Sequence, residues 1–409
     1  MNITQVNSIV NSVVNQMNGT ADVTATDLTG VVQLGNELLA PENRNRLDNF
    51  MNTLVDRIGK TIISTRSYPG IDSGIISDSF EFGAILQKIY VAPQEAEKSD
   101  VWALAEGESV DPFVITKPVV KQWLFDGIDT WQVPITIPTE QVKSAFTSAE
   151  AMAAFIDGIF TTIENSISLH LEAIANMAYA NFIGEKLADA WGYTKGSSSA
   201  PVVVPAHNAG QVINLLTAYN AVTGTTLTKD KALTDKDFLK FASKTINLTI
   251  KRLSKMSTLF NTADYQRHTP ADMVRVSMLS DFAAACAFYM ESDTYHNDIV
   301  KLPNYREVQY WQGSGDYSFA DTSHIEITTA GGKVVNQSGI VCLVNDIEAI
   351  ALTHTNRTSE SIYNPKGKYT NYFNNVDIAY LNDLTENGVV FVIADEGDIN
   401  TIYTKDYTA

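Results

Sequence analysis

Residues 147–189 read TSAEAMAAFIDGIFTTIENSISLHLEAIANMAYANFIGEKLAD. This run contains no Pro, and only Gly158 and Gly184 interrupt it. Met152, Ile156, Ile159, Ile163, Ile167, Ile174, Ala178 and Phe182 recur along it mostly at three- and four-residue steps, which sets them on one stripe of a helix. Thr147-Ser148-Ala149-Glu150 fits a capping box at its start. Unbroken, such a helix runs roughly 60 Å at 1.5 Å per residue. That length suits a structural spine, and its apolar stripe needs a sheet to lie against.

Working outward, the stretch before the helix is β-patterned and aromatic. Phe80 and Phe82 alternate with polar residues, and Val119, Lys121, Trp123 and Phe125 share one strand face. Between these runs lies an acidic loop through Glu95, Glu97, Asp100, Glu106 and Glu108. Trp131-Gln132-Val133-Pro134-Ile135 returns as a strand that leads into the helix. A two-stranded excursion of this kind is marginal alone in water. Trp102, Phe113, Trp123, Phe125 and Trp131 would then leave apolar surface that a neighbour must cover, and these five are the candidate subunit-contact residues. The alternative is that they pack inside their own subunit.

After the helix, Gly196–Pro201 is a Gly/Ser-rich break. Two helices follow, near 210–222 and 235–255, and then a mixed region. There Val274–Met278 reads as a strand, Ser280-Asp281-Phe282 opens a helix, and Gly339–Val344 is a buried strand. A long strand carries Tyr372, Asn374, Val376, Ile378 and Tyr380 on one face. Asn387-Gly388 is expected to turn it back into an antiparallel partner, 389–393.

Composition narrows the function. With 409 residues the chain has room for roughly two or three domains. Net charge is −18, from 47 acids against 29 bases, so phosphate backbones and anionic lipid are poor partners. No apolar run approaches the ~20 residues of a membrane span. The N-terminus has no secretory pattern, which predicts a cytoplasm-like compartment. Cys286 and Cys342 lie in apolar runs and read as buried free thiols.

Catalytic motifs are missing from the sequence. The six histidines show no zinc spacing. His296, near Asp293 and Asp298, is the most suggestive, but a hydrogen-bonded turn histidine explains it as well. Asp395-Glu396-Gly397-Asp398 lacks the alternating ligands of a calcium loop, and Ala330–Val334 lacks the first Gly and the Ser/Thr of a phosphate loop. The expectation is a protein that is not an enzyme, with no cofactor and no metal.

The order of strand excursion, returning strand, long helix, α/β region and closing strands resembles the tailed-bacteriophage major capsid proteins of the Hong Kong 97-like fold. Leu54–Gly59, Trp131–Ile135 with Gln141–Phe146, Ser292–Asn297, Leu302–Tyr305, Tyr310–Gly313 and Asn364–Phe373 are similar to segments in such proteins from small tailed phages of Gram-positive bacteria. The resemblance implies an α+β chain with these parts: an N-terminal arm (1–50), the start of a peripheral domain (51–71) and an extended β-hairpin loop (72–131). It further implies a peripheral domain (132–256) with spine helix 147–189, an axial α/β domain (257–355), and closing strands with a tail (356–409).

It also implies a homo-oligomer of pentamers and hexamers closing into an icosahedral shell around double-stranded DNA. Shells would be assembled in the host cytoplasm with a portal and no membrane. The segment before Phe50 is short for a removable scaffold, so a separate scaffolding protein is expected. Lys88, Lys98, Lys117 and Lys121 lie in the loop, but no residue pair marks a covalent cross-link. An encapsulin-type nanocompartment shell shares this fold and is the alternative. A soluble acidic hydrolase built on His296 is a further one, and a tail or surface fibre seldom holds so long an amphipathic helix.

Overall fold

The structure, a computed structural model, describes residues 86–94, 96, 103–111, 113, 115–125, 128–139, 149–195, 201–291, 305–312, 318–329, 331–395 and 402–404. The N-terminal arm, Leu54–Gly59, Phe80 and Phe82, Trp102, Thr147 and Ser148, Gln141–Phe146, Ser292–Asn297 with His296, Lys98, and Glu396 to Asp398 lie outside the described residues.

In chain order the elements begin with β1 (Leu86–Val91), β2 (Val120–Phe125), β3 (Ile128–Pro138) and α1 (Ala149–Trp191). Next come β4 (Tyr193–Lys195), β5 (Val202–Val204), β6 (Val212–Asn214), α2 (Leu215–Thr223) and α3 (Lys236–Leu253). β7 (Val274–Leu279), α4 (Ser280–Glu291), β8 (Tyr305–Val308), β9 (Ile325–Thr328), β10 (Lys333–Gln337) and β11 (Ile340–Asp346) follow. β12 (Ile350–Asn364), β13 (Tyr369–Asn382), β14 (Gly388–Val392) and β15 (Tyr403–Thr404) close the chain. Two compact units emerge. One holds the described residues within Gly127–Ala175 and Leu352–Ala379, the other those within Ile85–Asp126, Asn176–Ala351 and Tyr380–Ala409.

The long helix forms as its periodicity requires. α1 is a single helix of 43 residues. Ile159, Ile163, Ile174, Ala178 and Phe182 are buried and Ile167 is half-buried, so the stripe read from the sequence is the packed face. The helix runs through Gly184, where an added Cβ would strike the Ile327 side chain of β9. The missing side chain lets the helix and that strand approach closely.

In the first unit the sheet order is β12-β13-β3, and β13 runs antiparallel to β3 from Tyr369↔Pro138 to Ala379↔Ile128. Alternation puts Val133, Ile137, Tyr372, Val376 and Ile378 on a buried face. The other face is a polar ladder that matches the register. Thr130 Oγ1 donates to Asp377 Oδ1 (2.7 Å), Gln132 Nε2 to Asn375 Oδ1 (3.0 Å) and Thr136 Oγ1 to Asn371 Oδ1 (2.7 Å).

The core of the second unit is the sheet β6-β14-β11-β7-β8. Every residue of β7, β11 and β14 is buried, the pattern of strands covered on both faces. A second sheet has the order β5-β4-β15-β10-β9. One expectation is overturned here: β14 does not fold back on β13. It pairs antiparallel with β11 and parallel with β6. β13 already lies between β12 and β3 and offers no free edge, whereas a strand apolar on both faces finds two partners in the covered sheet.

Gly339 sets the entry to β11. Its φ is +85°, and a Cβ would collide with the Ile393 carbonyl oxygen. Ile393 N donates to Gly339 O at 2.7 Å, so the backbones cannot separate without losing that bond. Gly339→Ala is expected to lower stability by about 2–3 kcal/mol, read as an earlier midpoint in chemical denaturation.

Candidate subunit-contact arm

β1 and β2 form an antiparallel hairpin with register Leu86↔Phe125, Lys88↔Trp123, Tyr90↔Lys121 and Val91↔Val120. Directly opposed residues share a face, so the hairpin has two unlike sides. Lys88, Tyr90, Lys121, Trp123 and Phe125 form one. Gln87, Ile89, Val91, Val120, Gln122 and Leu124 form the other, which carries no charge.

The first side faces the hairpin's own unit. Tyr90 stacks on Tyr265 with ring centroids 4.4 Å apart, and Trp123 lies 5.7 Å from the same ring. The Lys121 ammonium sits 4.7 Å from the Tyr265 ring centre, and the Arg267 guanidinium 5.2 Å from that of Tyr90. Lys88 Nζ lies 2.9 Å from Asp383 Oδ2 and 3.0 Å from Glu386 Oε1, and Arg267 also pairs with Glu386. Burial alone would lower the Lys88 pKa, but the two carboxylates hold it above the ordinary lysine value. On Asp383, burial is outweighed by Lys88, and the carboxyl is held below its usual range. On Glu386 burial prevails over Lys88 and Arg267, and the carboxyl is raised. Lys88 and Asp383 are therefore the firmly ionised pair, and Glu386 is the partner that protonates more readily.

The second side is open. Ile89, Val91, Val120 and Leu124 are each more than half exposed. In the segment between the two strands, Phe113 is 84% exposed, and Val110 and Ile115 are exposed as well. An uncharged, solvent-facing apolar surface of this kind is a candidate contact site.

The five aromatic candidates thus separate. Phe113 is exposed. Trp123 and Phe125 are half-buried on the inward side of the hairpin, where Trp123 meets its own subunit's Tyr265. Trp131 is not on the hairpin; it belongs to β3, is 37% exposed, and lies 5.1 Å from the His170 ring of its own unit. Trp102 falls outside the described residues. For Trp123 the packing within one subunit is what the geometry supplies, because the strand's alternation turns it inward with Lys121. The sequence reading did not single out Ile89, Val91, Val120 and Leu124, although the alternation of Ile89 and Val91 with Lys88 and Tyr90 is present in residues 87–91.

Other titratable groups serve the fold. His207 Nδ1 and Nε2 lie 3.3 Å from Asp189 and 3.0 Å from Asp264, and the Asp189 hydrogen bond leads in raising its pKa. Burial pushes the Cys286 thiol up to about 11, and Cys342 is fully buried and higher still, so neither is poised as a nucleophile. Among the described residues no group of three or more His, Cys, Asp or Glu is placed to hold a metal ion, and no helix is long and apolar enough to cross a membrane.

The model of the Phi29-like phage major capsid protein family matches residues 6–392. The chain belongs to that family. Two curated relatives are major capsid proteins. The chain is 30% identical over 122 residues to that of Streptococcus phage Cp-1, covering 30% of this chain and 32% of the relative. It is 23% identical over 188 residues to that of Bacillus phage GA-1, covering 46% of this chain and 39% of the relative. The chain spans about a third of the length of the first relative and about two-fifths of the second. A chain in the capsid structure of Staphylococcus phage Andhra is also similar, with 9% identity, a TM-score of 0.48, and coverage of 78% of this chain and 83% of that one. Membership in the Phi29-like family points to a structural role in the virion.

Proposed function

We propose that this chain builds the shell of a tailed-phage head, as pentamers and hexamers of a Hong Kong 97-like fold enclosing double-stranded DNA. The observation that carries the reading is the outward hairpin face of Ile89, Val91, Val120 and Leu124, an apolar surface more than half exposed among the described residues. In this reading the hairpin is the stem of an extended loop (72–131), α1 is the spine of a peripheral domain, and 257–355 is the axial domain, to which β14 adds through its pairing with β11. The outward face and Phe113 meet a second copy of the chain.

Magnitudes favour many modest contacts. Covering four half-exposed aliphatic side chains gives on the order of 1 kcal/mol each. Lost rigid-body freedom and side-chain ordering offset part of that, so no single contact is tight. Repetition around a closed lattice then supplies the stability. The −18 charge supports a shell wall that holds packaged DNA weakly, so the genome can move during filling and release. A separate scaffolding protein and a portal belong to the same reading, with assembly in the host cytoplasm. Imaging of the purified, concentrated chain tests it: rings or shells are expected, and a monomer at every concentration would contradict the proposal.

A further inference from the structure

Among the described residues, the hairpin's ion pairs to its own subunit converge on Lys88, and that point bears on how the outward face is presented. Lys88 is the only residue among the described hairpin positions that pairs with carboxylates of the body. Its Nζ reaches Asp383 Oδ2 at 2.9 Å and Glu386 Oε1 at 3.0 Å, with Glu348 Oε2 at 3.5 Å and a bond to the Glu348 carbonyl at 3.4 Å. The Asp383 and Glu386 side chains are 1% and 6% exposed.

These acceptors are held firmly. They lie in the turn between β13 and β14, where Thr385 N and Oγ1 donate to Asp383 Oδ1 and Asp383 N donates to Ala349 O. Lys186 of α1 donates to the backbone carbonyls of Leu384 and Glu386 in the same turn. The receiving side is therefore rigid, and the free variable is the hairpin. Without Lys88, Glu386 keeps Arg267 and Asp383 keeps its hydrogen bonds from Thr385, while among the described residues the hairpin keeps the Tyr90, Lys121 and Trp123 contacts with Tyr265, the Arg267 guanidinium over Tyr90 and a Tyr90 hydroxyl bond to Gln266 O.

We infer that Lys88 is a positioning residue: it fixes the angle at which the hairpin presents Ile89, Val91, Val120 and Leu124 to the next copy. This rests on the reading of the outward face as a contact between copies. The clasp suits the task because two charge-assisted contacts at 2.9 and 3.0 Å to side chains held by the turn pin the Lys88 ammonium at one point. Removing one partner of a buried pair leaves an uncompensated charge that draws water in, so the hairpin should lift.

The test uses the full chain as unassembled subunits and then under assembly conditions. Lys88→Met should speed amide exchange at residues 87–91 and 120–124 by at least about tenfold while exchange in β11 and β14 stays unchanged. Assembly should fall or give malformed shells. Lys88→Arg, which keeps charge at the same place, should restore both readouts. If Lys88→Met does not fold, Lys88→Gln removes the charge with a smaller change and gives the same comparison. Unchanged hairpin exchange would overturn the inference, as would faster exchange with normal shells. Failure of the wild type to form shells would count against the shell reading alone, because the exchange comparison still decides whether Lys88 holds the hairpin.

Discussion

Leu124→Asp is expected to abolish shell formation while leaving the subunit folded. Leu124 is 56% exposed on the uncharged side of the hairpin, so its replacement removes little from the subunit's own core. Surface changes of this kind usually stay within about ±0.5 kcal/mol of stability. In an assembled contact the same carboxylate must leave water for an apolar surface, which costs at least about 2–3 kcal/mol with no partner present. One contact then weakens roughly thirtyfold or more, at a factor of ten per 1.4 kcal/mol. A shell repeats that contact in every subunit, so the losses multiply. Sedimentation velocity should show wild-type shells and variant subunits at equal concentration, with melting curves that nearly coincide. Leu124→Met, similar in volume, should assemble. A variant that unfolds, or one that still closes shells, would remove the outward face from the account.

Lys186→Met is expected to change how stability depends on pH. Lys186 lies fully buried on α1, where Nζ donates to the carbonyls of Phe260 (3.1 Å), Leu384 (3.3 Å) and Glu386 (3.2 Å). Burial pulls its pKa from 10.5 down to about 7, with Asp189, Asp383 and Glu386 working the other way. The sign follows from linkage. Below about pH 7 both folded and unfolded chains hold the proton, and the full penalty of a buried charge stands. Between about pH 7 and about pH 10 the folded chain sheds a proton that the unfolded chain keeps, so this group adds stability as pH rises, on the order of 4 kcal/mol across the window. Methionine cannot titrate, so that rise should vanish. At pH 7 the variant's stability should lie within about 1–2 kcal/mol of the wild type, because relief of the buried-charge penalty offsets the lysine donor that the Glu386 carbonyl loses. The loss is limited because Phe260 O and Leu384 O keep other donors, Gly388 N and Thr262 N. Urea midpoints at pH 7 and pH 9 should diverge further between the two proteins. Parallel profiles would mean that Lys186 does not titrate in this range.

How much of this was legible in the sequence depended on the range of the interaction. The α1 stripe was, because helical periodicity is local, and its buried positions from Ile159 to Phe182 follow it. So were the buried strand after Gly339 and the strand–helix junction at Leu279-Ser280. Partners were not. Val389–Val392 reads as a strand from its own residues, but nothing local says that it joins β11 and β6 instead of β13. Which aromatic side chains face outward was not legible for a related reason. Tryptophan size drew attention to Trp123, yet whether a strand side faces out is set by what covers it. Here the cover is Tyr265 and a lysine clasp formed with Asp383, 295 positions away in the chain. The alternation of Ile89 and Val91 with Lys88 and Tyr90 was visible, and it separated the two sides without saying which was inner.

The central claim is that the outward hairpin face is covered only when copies assemble. Oxidative footprinting of that face, comparing free subunits with purified shells, tests it most directly. The account expects Ile89, Val91, Val120, Leu124 and Phe113 to be labelled in free subunits and strongly protected in shells, with buried β11 unlabelled in both. Equal labelling of the hairpin face in the two states would contradict it.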